Sequence, residues 1–251
     1  MASTTIQEAI TSSTYRIVQV KDLHDHKLVK AEHVWLETYK NGRINNSQKD
    51  SFLTIWLLDP LANAMVGGRA DLLSLNYRAC ARAAVVGGQF WVALTESDEV
   101  VGTAIWYPPG TDFLSDEKQK KEGASELLAT IKAEEPKVHE WLMSSLVPAL
   151  DNSTDRFMGQ GFRAKSWKIY SLTFRQTYKG KGIVKMLLKP GEDQAAAQGV
   201  STCIEEENKD LLEEFLRLGY KEVGQTVILG PPDKIVTKFS YHNLVKHHNR
   251  E

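Results

Sequence analysis

The chain has 251 residues, of which 31 are basic and 32 acidic, and its net charge is −1. A general nucleic-acid binder would be strongly basic, so this balance argues against nucleic acid as a partner. Hydrophobic residues make up 42% of the chain and charged residues 25%, which is typical of a globular protein with a sizeable core.

The sequence predicts a soluble, cytoplasmic protein. Its two cysteines, Cys80 and Cys203, fit a reducing compartment better than a disulfide scaffold, although one bridge stays open. The first residues lack the basic segment and apolar core of a signal peptide. Because no apolar run approaches the ~18 residues of a membrane span, we expect no membrane partner.

The first half of the chain predicts a strand followed by helices. Residues 15–20 alternate and carry β-branched side chains, which indicates a strand. Asp22 is a candidate cap for the helix that follows. Residues 52–66 are mostly apolar and interrupted by Asp59-Pro60, and residues 71–86 predict another helix.

A hairpin and a long helical insertion come next. Residues 89–94 and 100–107 flank the turn at 96–99, and Pro108-Pro109-Gly110 ends the second strand. Within residues 111–165, the stretch 127–150 predicts one or two helices broken near Pro136 and Pro148, and 152–163 is loop-like. The segment lacks the apolar residues for a core of its own. We therefore expect one domain, residues 1–251, with an insertion at about 111–165.

The last third alternates strands with helices. A strand at 166–174 leads through a glycine turn into a helix that starts near Gly182 or Ile183 and ends at Gly199, with Pro190 predicted to interrupt or kink it. The remaining prediction is a strand at 200–204, a helix at 208–218 capped by Asn208, and strands at 220–229 and 235–241. This alternation predicts an α/β (α+β) fold.

The glycine turn is the first candidate for a ligand site. A strand, a glycine turn and a helix aim several backbone N–H groups at one spot, where the helix dipole favours an anion. Gly180 and Gly182 allow close approach of a ligand, and Lys179 and Lys181 add positive charge. Alone, the turn is also compatible with an ordinary loop, and it is neither a Walker A loop nor a Rossmann fingerprint.

Two motifs resemble the GNAT acetyltransferase superfamily. The run from Leu172 through Phe174, Tyr178 and Lys-Gly-Lys-Gly-Ile to Val184 resembles its acetyl-CoA signature, Gln/Arg-x-x-Gly-x-Gly/Ala after a strand. Asn208, Phe215 and Gly219-Tyr220 resemble its closing pattern. Residues 189–200 and the Trp-Tyr-Pro-Pro-Gly at 106–110 are similar to the puromycin-acetyltransferase-like branch and its fungal relatives.

The resemblance implies a GNAT-like mixed, twisted sheet of about six to seven strands flanked by helices. It also implies that acetyl-CoA lies where the central strands diverge, with its pyrophosphate on residues 179–184. The cofactor-binding residues implied in this way are Leu172, Phe174, Lys179, Gly180, Lys181, Gly182, Ile183, Val184, Asn208 and Phe215.

Three positions depart from the family pattern. Lys179 stands where Gln or Arg is usual, and Val184 stands where Gly or Ala is usual. Phe215 stands where the family often has a tyrosine that protonates the leaving thiolate, which phenylalanine cannot do. Because the thiol pKa of CoA is ~8.5, the thiolate can leave without that proton donor.

Acetylation of an amine needs a base and a donor for the oxyanion. An amine is mostly protonated at pH 7, so an acceptor must take its proton, and the resemblance places this base among Glu205, Glu206 and Glu207, with Glu205 preferred. All three could instead be solvated side chains before a helix. The resemblance places the oxyanion donor, a backbone N–H, near Phe174.

Several roles stay open. Asn208 could bind the CoA arm or only cap its helix, and Trp106 and Tyr107 could line the acceptor pocket or belong to the core. The few histidines predict no metal site, and no hydrolase or thiol-enzyme motif is present. The sequence thus predicts direct acetyl transfer from acetyl-CoA to a primary amine of a small molecule, by a monomer or homodimer. The alternative is a catalytically poor acyl-CoA-binding or regulatory module of the same fold.

Overall fold

A computed structural model describes residues 10–12, 14–41, 60–234 and 238–248. The predicted segments 52–59 and 235–237 lie outside the described residues. The described strands are β1 Ile10–Ser12, β2 Tyr15–Val20, β3 Gln89–Thr95, β4 Val100–Tyr107, β5 Trp167–Phe174, β6 Thr202–Glu206, β7 Lys221–Leu229 and β8 Lys238–Lys246.

These strands form one sheet in the order β1-β2-β3-β4-β5-β6-β8-β7. Every neighbouring pair is antiparallel except β5 and β6, which are parallel. The predicted mixed α/β fold is confirmed. The described sheet has eight strands, because the three-residue β1 is added to the edge next to β2.

Helices cover the sheet. The described helices are α1 Lys27–Asn41, α2 Pro60–Met65, α3 Ala70–Gly87, α4 Glu117–Gln119, α5 Ser125–Glu134, α6 Pro136–Trp141, α7 Val147–Asp151, α8 Asp155–Met158, α9 Phe162–Lys165, α10 Ile183–Gln198 and α11 Lys209–Arg217. At the start of α1, Asp25 rather than Asp22 accepts the Lys27 amide, at 2.9 Å, whereas Asp22 accepts the amide of His24.

Three apolar clusters hold the layers together. One lies between the sheet and α10 and α11 and includes Trp106, Leu187 and Phe215. A second packs α1 and α3 on the other face, around Phe90. The third joins α3, α5, α6 and α7 to β7 and β8 through Trp141 and other residues. Residues 111–165 therefore complete a core with the β7–β8 end of the sheet.

The prolines behave differently from the sequence prediction in two places. The helical path breaks at Glu135 before Pro136, as predicted, but it continues through Pro148. A π-helical turn at Leu142–Leu146 precedes α7, and Pro148 lies in the first turn of α7, where a helix tolerates the missing proline amide. Pro190 also lies inside a continuous α10 and does not interrupt it, because Pro190 and Gly191 are buried against the sheet.

Gly191 permits the close approach of α10 to Trp106. A Cβ atom at residue 191 would lie 2.4 Å from the ring carbons of this fully buried tryptophan. Alanine normally favours a helix interior over glycine by about 0.5–1 kcal/mol. We expect Gly191→Ala instead to lower the free energy of unfolding by about 1–3 kcal/mol, because the ring has no space to move.

Chemical denaturation measures this change. Trp106→Leu provides the matched background, since it removes the obstructing ring, and there the added methyl group should be much less damaging. A Gly191→Ala protein as stable as the wild type would contradict the packing described for this helix.

Candidate active site

The central strands diverge at one end of the sheet. β5 and β6 pair in parallel at Trp167–Thr202 and Lys168–Cys203. The later residues of these two described strands are not paired with each other. On its other side β5 stays paired with β4 as far as Phe174, which faces Gly102. A wedge-shaped gap therefore opens between β5 and β6.

Two backbone amides of β5 face this gap. The Arg175 amide donates to the Val101 carbonyl at 2.9 Å, and Thr173 pairs with Thr103 of β4. The amides of Thr173 and Arg175 therefore point toward β4. Because successive amides of a strand alternate in direction, the amides of Leu172 and Phe174 face β6. These are the two strand residues that the sequence implied for cofactor binding.

A cavity of about 460 Å³ occupies the gap. Four acidic side chains and one lysine come from the β6–α11 side, and aromatic residues come from α1, α3 and the sheet. The lining residues include Trp35, Tyr77, Tyr170, Leu172, Glu205, Glu206, Glu207, Asn208, Asp210 and Tyr241.

The glycine loop forms a second, smaller cavity of about 110 Å³. A 3₁₀ turn at Gln176–Tyr178 leads into Gly180 and Gly182, which have φ values of +75° and +77°. Glycine adopts this left-handed conformation without strain. A Cβ atom at either position would have no neighbour within 4 Å, so the loop presents open backbone.

The loop fits a phosphate-containing ligand. Helix α10 begins at Ile183, as predicted, and the first N–H groups of a helix lack internal partners. Phe174, Lys179, Gly180, Gly182, Ile183 and Val184 line the cavity, whereas Lys181 is an exposed residue beside it.

Asp210 lines both cavities. It forms a salt bridge with Lys179 at 2.9 Å, which joins the loop to the first turn of α11. The hydrogen bond from Lys179 lowers the pKa of Asp210 from its ordinary value. The two cavities thus form neighbouring parts of one groove, and Lys179 lies at their junction.

Glu205 lines the large cavity and carries several hydrogen bonds. Its Oε1 atom accepts from Ser153 Oγ at 3.0 Å, Thr154 Oγ1 at 2.7 Å and Arg163 Nε at 3.2 Å. Glu206 lines the cavity as well and accepts the Asn208 amide at 2.7 Å. Glu205 and Glu206 are in β6, and Glu207 follows the strand.

Two residues of α11 have clear structural roles. Asn208 Oδ1 accepts the amides of Asp210 and Leu211, so Asn208 caps the helix while it also lines the cavity. Phe215 is fully buried and packs edge-on against Tyr220, with ring centroids 5.1 Å apart. Phe215 therefore contributes to the core beneath the groove.

Trp106 and Tyr107 are fully buried in β4. Trp106 Nε1 donates to the Leu187 carbonyl at 3.3 Å, and the Tyr107 ring packs edge-on against Tyr170. Neither side chain lines the large cavity. Of the two alternatives that the sequence left open, their placement fits the core.

Sequence reasoning missed the residues that surround Glu205. Ser153 and Thr154 end the turn before α8, and Arg163 is in α9, and all three lie in a region predicted to be loop-like. It also missed Arg175, which forms ion pairs with Glu37 of α1, at 2.9 Å, and with Glu99 of the β3–β4 hairpin. The sequence carries no local signal for these contacts, because each partner lies more than 40 residues away.

Among the described residues, no group of His, Cys, Asp or Glu side chains could hold a metal ion. Both cysteines are buried free thiols, and burial raises the pKa of Cys203, so that this thiol stays protonated. In the part of the chain that the structure describes, no helix is long and apolar enough to cross a membrane.

Comparison with known proteins shows the fold. No protein-family model matches the sequence, and no curated protein matches it. The crystal structure of arylalkylamine N-acetyltransferase 2 from Aedes aegypti matches with a TM-score of 0.52 and 16% sequence identity, over 94% of this chain and 99% of that chain.

Two further solved structures are similar. A polyamine N-acetyltransferase from Drosophila melanogaster has a TM-score of 0.48 and 13% identity, over 93% of this chain and 99% of that chain. A Corynebacterium glutamicum protein described as histone acetyltransferase HPA2 and related acetyltransferase has a TM-score of 0.49 and 15% identity, over 93% and 96%. The Aedes aegypti match shows that this chain has the fold of GNAT N-acetyltransferases.

Proposed function

We propose that the protein is an acetyl-CoA-dependent N-acetyltransferase of the GNAT superfamily that acts on a primary amine of a small molecule. The observation that carries this proposal is the groove itself. The glycine loop at the start of α10 and the cavity between β5 and β6 are adjacent and share Asp210. A glycine loop at a helix N-terminus beside a cavity of about 460 Å³ supports a cofactor site next to an acceptor site.

The groove fits coenzyme A at both ends. The amides around Gly180, Gly182 and Ile183 would hold the pyrophosphate, with Lys179 adding positive charge at the entrance. When bound, acetyl-CoA supplies an acetyl thioester. The amides of Leu172 and Phe174 would orient its carbonyl oxygen and stabilise the negative charge that develops there.

Glu205 would serve as the base. It lines the cavity into which the acceptor would enter, and four of the cavity's side chains are carboxylates, which favours a cationic amine. Removal of the ammonium proton by Glu205 leaves the nitrogen lone pair free to attack the thioester carbonyl. The C–N bond then forms and the C–S bond breaks in one ternary complex. CoA leaves as the thiolate, and the second proton of the attacking nitrogen passes to water or to that thiolate.

Further features of the proposal come from sequence similarity and composition. The motifs at 106–110 and 189–200 support a place in the puromycin-acetyltransferase-like branch. The two free, buried thiols support a reducing compartment such as the cytoplasm. Arylalkylamine N-acetyltransferase 2, which has the same fold, supports a small amine as the acceptor. A monomeric or homodimeric state stays a prediction.

Phe215 favours a second candidate function. This residue lacks the hydroxyl that would protonate the leaving thiolate, and it is fully buried. A protein of this fold that binds acyl-CoA without efficient transfer, as a binding or regulatory module, would have the same loop and no need for that proton donor.

Two measurements separate these functions. We expect millimolar acetyl-CoA to raise the melting temperature, because a ligand that binds only the folded state stabilises it, by about 2.7 kcal/mol at 100 times Kd. No shift would reject the cofactor assignment. Release of free thiol with a panel of amines, amino acids and aminoglycosides should exceed the rate without acceptor. Binding without any accelerated release would favour the binding module.

A further inference from the structure

Three hydrogen-bond donors converge on one oxygen of Glu205. Thr154 Oγ1 and Arg163 Nε donate to Oε1 at 2.7 and 3.2 Å, and Ser153 Oγ lies 3.0 Å from it, with its single proton shared between Oε1 and the Leu150 carbonyl at 2.9 Å. Among the described residues these are the hydrogen-bond partners of this carboxylate. The donors come from a single stretch of 11 residues, 153–163, in the segment that precedes β5. The side chains of Ser153 and Thr154 are fully buried, so water does not compete for these contacts.

Arg163 is itself fixed at two points. Its backbone amide donates to Asp155 Oδ1 at 2.8 Å, and its guanidinium Nη1 forms an ion pair with Asp112. Lys168 of β5, which is buried, lies 3.5 Å from the same Asp112 carboxylate. The guanidinium group therefore contacts two carboxylates: Nη1 pairs with Asp112, and Nε donates to Glu205.

The positive charge of Arg163 and the negative charges of Glu205 and Asp112 stabilise each other. The side chains of Arg163 and Glu205 are 12% and 11% exposed, so both charges are largely removed from water. Burial opposes the charge of Arg163, but the carboxylates of Glu205 and Asp112 outweigh it, and the pKa of the guanidinium lies above its ordinary value. Arg163 thus stays a permanent cation beside the carboxylate.

We propose that Ser153, Thr154 and Arg163 are positioning residues that hold Glu205 by Oε1, so that its other oxygen is oriented to accept the proton of the acceptor amine. This inference rests on the proposed function. It assigns to residues 153–163 a role in orienting the base, although they lie far from Glu205 in the sequence. Three donors near one oxygen restrict the rotation of the carboxylate, and a base must lie within about 3 Å of the atom that carries the proton it removes.

Thr154→Val is the first test, because valine has nearly the shape of threonine without the hydroxyl. We expect kcat to fall on the order of 10-fold, as for loss of a hydrogen bond to a charged group, while the acetyl-CoA Kd stays unchanged. Thr130→Val is the matched control. Its hydroxyl donates to the Glu126 carbonyl on the exposed surface of α5, so kcat should not change.

Arg163 provides the second test. Arg163→Met should lower kcat on the order of 100-fold, because it removes the charged donor. Arg163→Lys should recover part of that loss, since lysine keeps the charge but not the fork that reaches both carboxylates. A purely structural role would lower the melting temperature of both variants without this graded rescue of kcat.

A double-mutant cycle identifies Glu205 as the group through which these residues act. In a Glu205→Gln background, Thr154→Val should change kcat by less than about 2-fold, because the base is already absent. Additive effects of the two substitutions would overturn the positioning role, as would wild-type kcat in Thr154→Val and Arg163→Met. A wild-type rate in Glu205→Gln alone, or an inactive wild-type protein, would reject the proposed chemistry and this inference together.

Discussion

Replacing Glu205 by glutamine is expected to lower turnover at neutral pH by at least about 100-fold, the usual contribution of a general base. Glutamine keeps an oxygen that can accept from Ser153 and Thr154, but it cannot take a proton from an ammonium group. The dissociation constant of acetyl-CoA should stay nearly unchanged, because the proposed CoA contacts lie on β5 and the loop. Steady-state kinetics and calorimetric titration measure the two quantities.

Two neighbouring carboxylates serve as matched controls. Glu206 and Glu207 also line the cavity, so Glu206→Gln and Glu207→Gln change the local charge by the same amount. We expect both to retain most of the turnover. If the large loss occurs in one of them instead, the base assignment moves to that residue, and an unchanged rate in Glu205→Gln refutes Glu205 as the base.

Glu205→Gln has a further consequence for stability. The substitution leaves the buried Arg163 with Asp112 as its remaining carboxylate partner in the cluster. Breaking a buried ion pair by removing one partner typically costs about 3–5 kcal/mol. The melting temperature must therefore be measured together with the rate, and the assay must be run well below the melting temperature of the variant.

Replacing Gly182 by alanine is expected to weaken acetyl-CoA binding about 10-fold, which corresponds to 1.4 kcal/mol. Gly182 precedes α10 with φ near +77°, a conformation that costs a residue with a Cβ atom about 1–2 kcal/mol. The unliganded loop can relax to relieve this strain, and binding must then restore the strained form. No steric clash contributes, because a Cβ atom there has no neighbour within 4 Å.

Gly199 at the other end of α10 is the matched control. It has a φ of +66°, so Gly199→Ala introduces a similar backbone strain. It follows the last residue of the helix, at the end opposite the loop, and should lower the melting temperature without changing the acetyl-CoA Kd. Equal loss of affinity in both variants would contradict a specific role for the loop, as would an unchanged Kd in Gly182→Ala.

Local sequence patterns predicted most of the secondary structure. The hairpin of β3 and β4, the start of α10 at Ile183 and the Asn208 cap of α11 all depend on contacts within a few residues. Pro148 was predicted to break a helix and Pro190 to interrupt or kink one, and neither proline interrupts its helix. Around Pro190, packing of the buried face of α10 stabilises the helix more than the proline destabilises it, and a local pattern does not contain that packing.

The sequence by itself determined the glycine loop, because its geometry follows from Gly180, Gly182 and the helix that begins after them. Only the tertiary structure decided what surrounds Glu205, since Ser153, Thr154 and Arg163 lie 42 to 52 residues away along the chain. It also decided that Trp106 and Phe215 are buried. The physical reason is that backbone conformation depends mainly on neighbours in sequence, whereas burial and side-chain pairing depend on which distant segments the fold brings together.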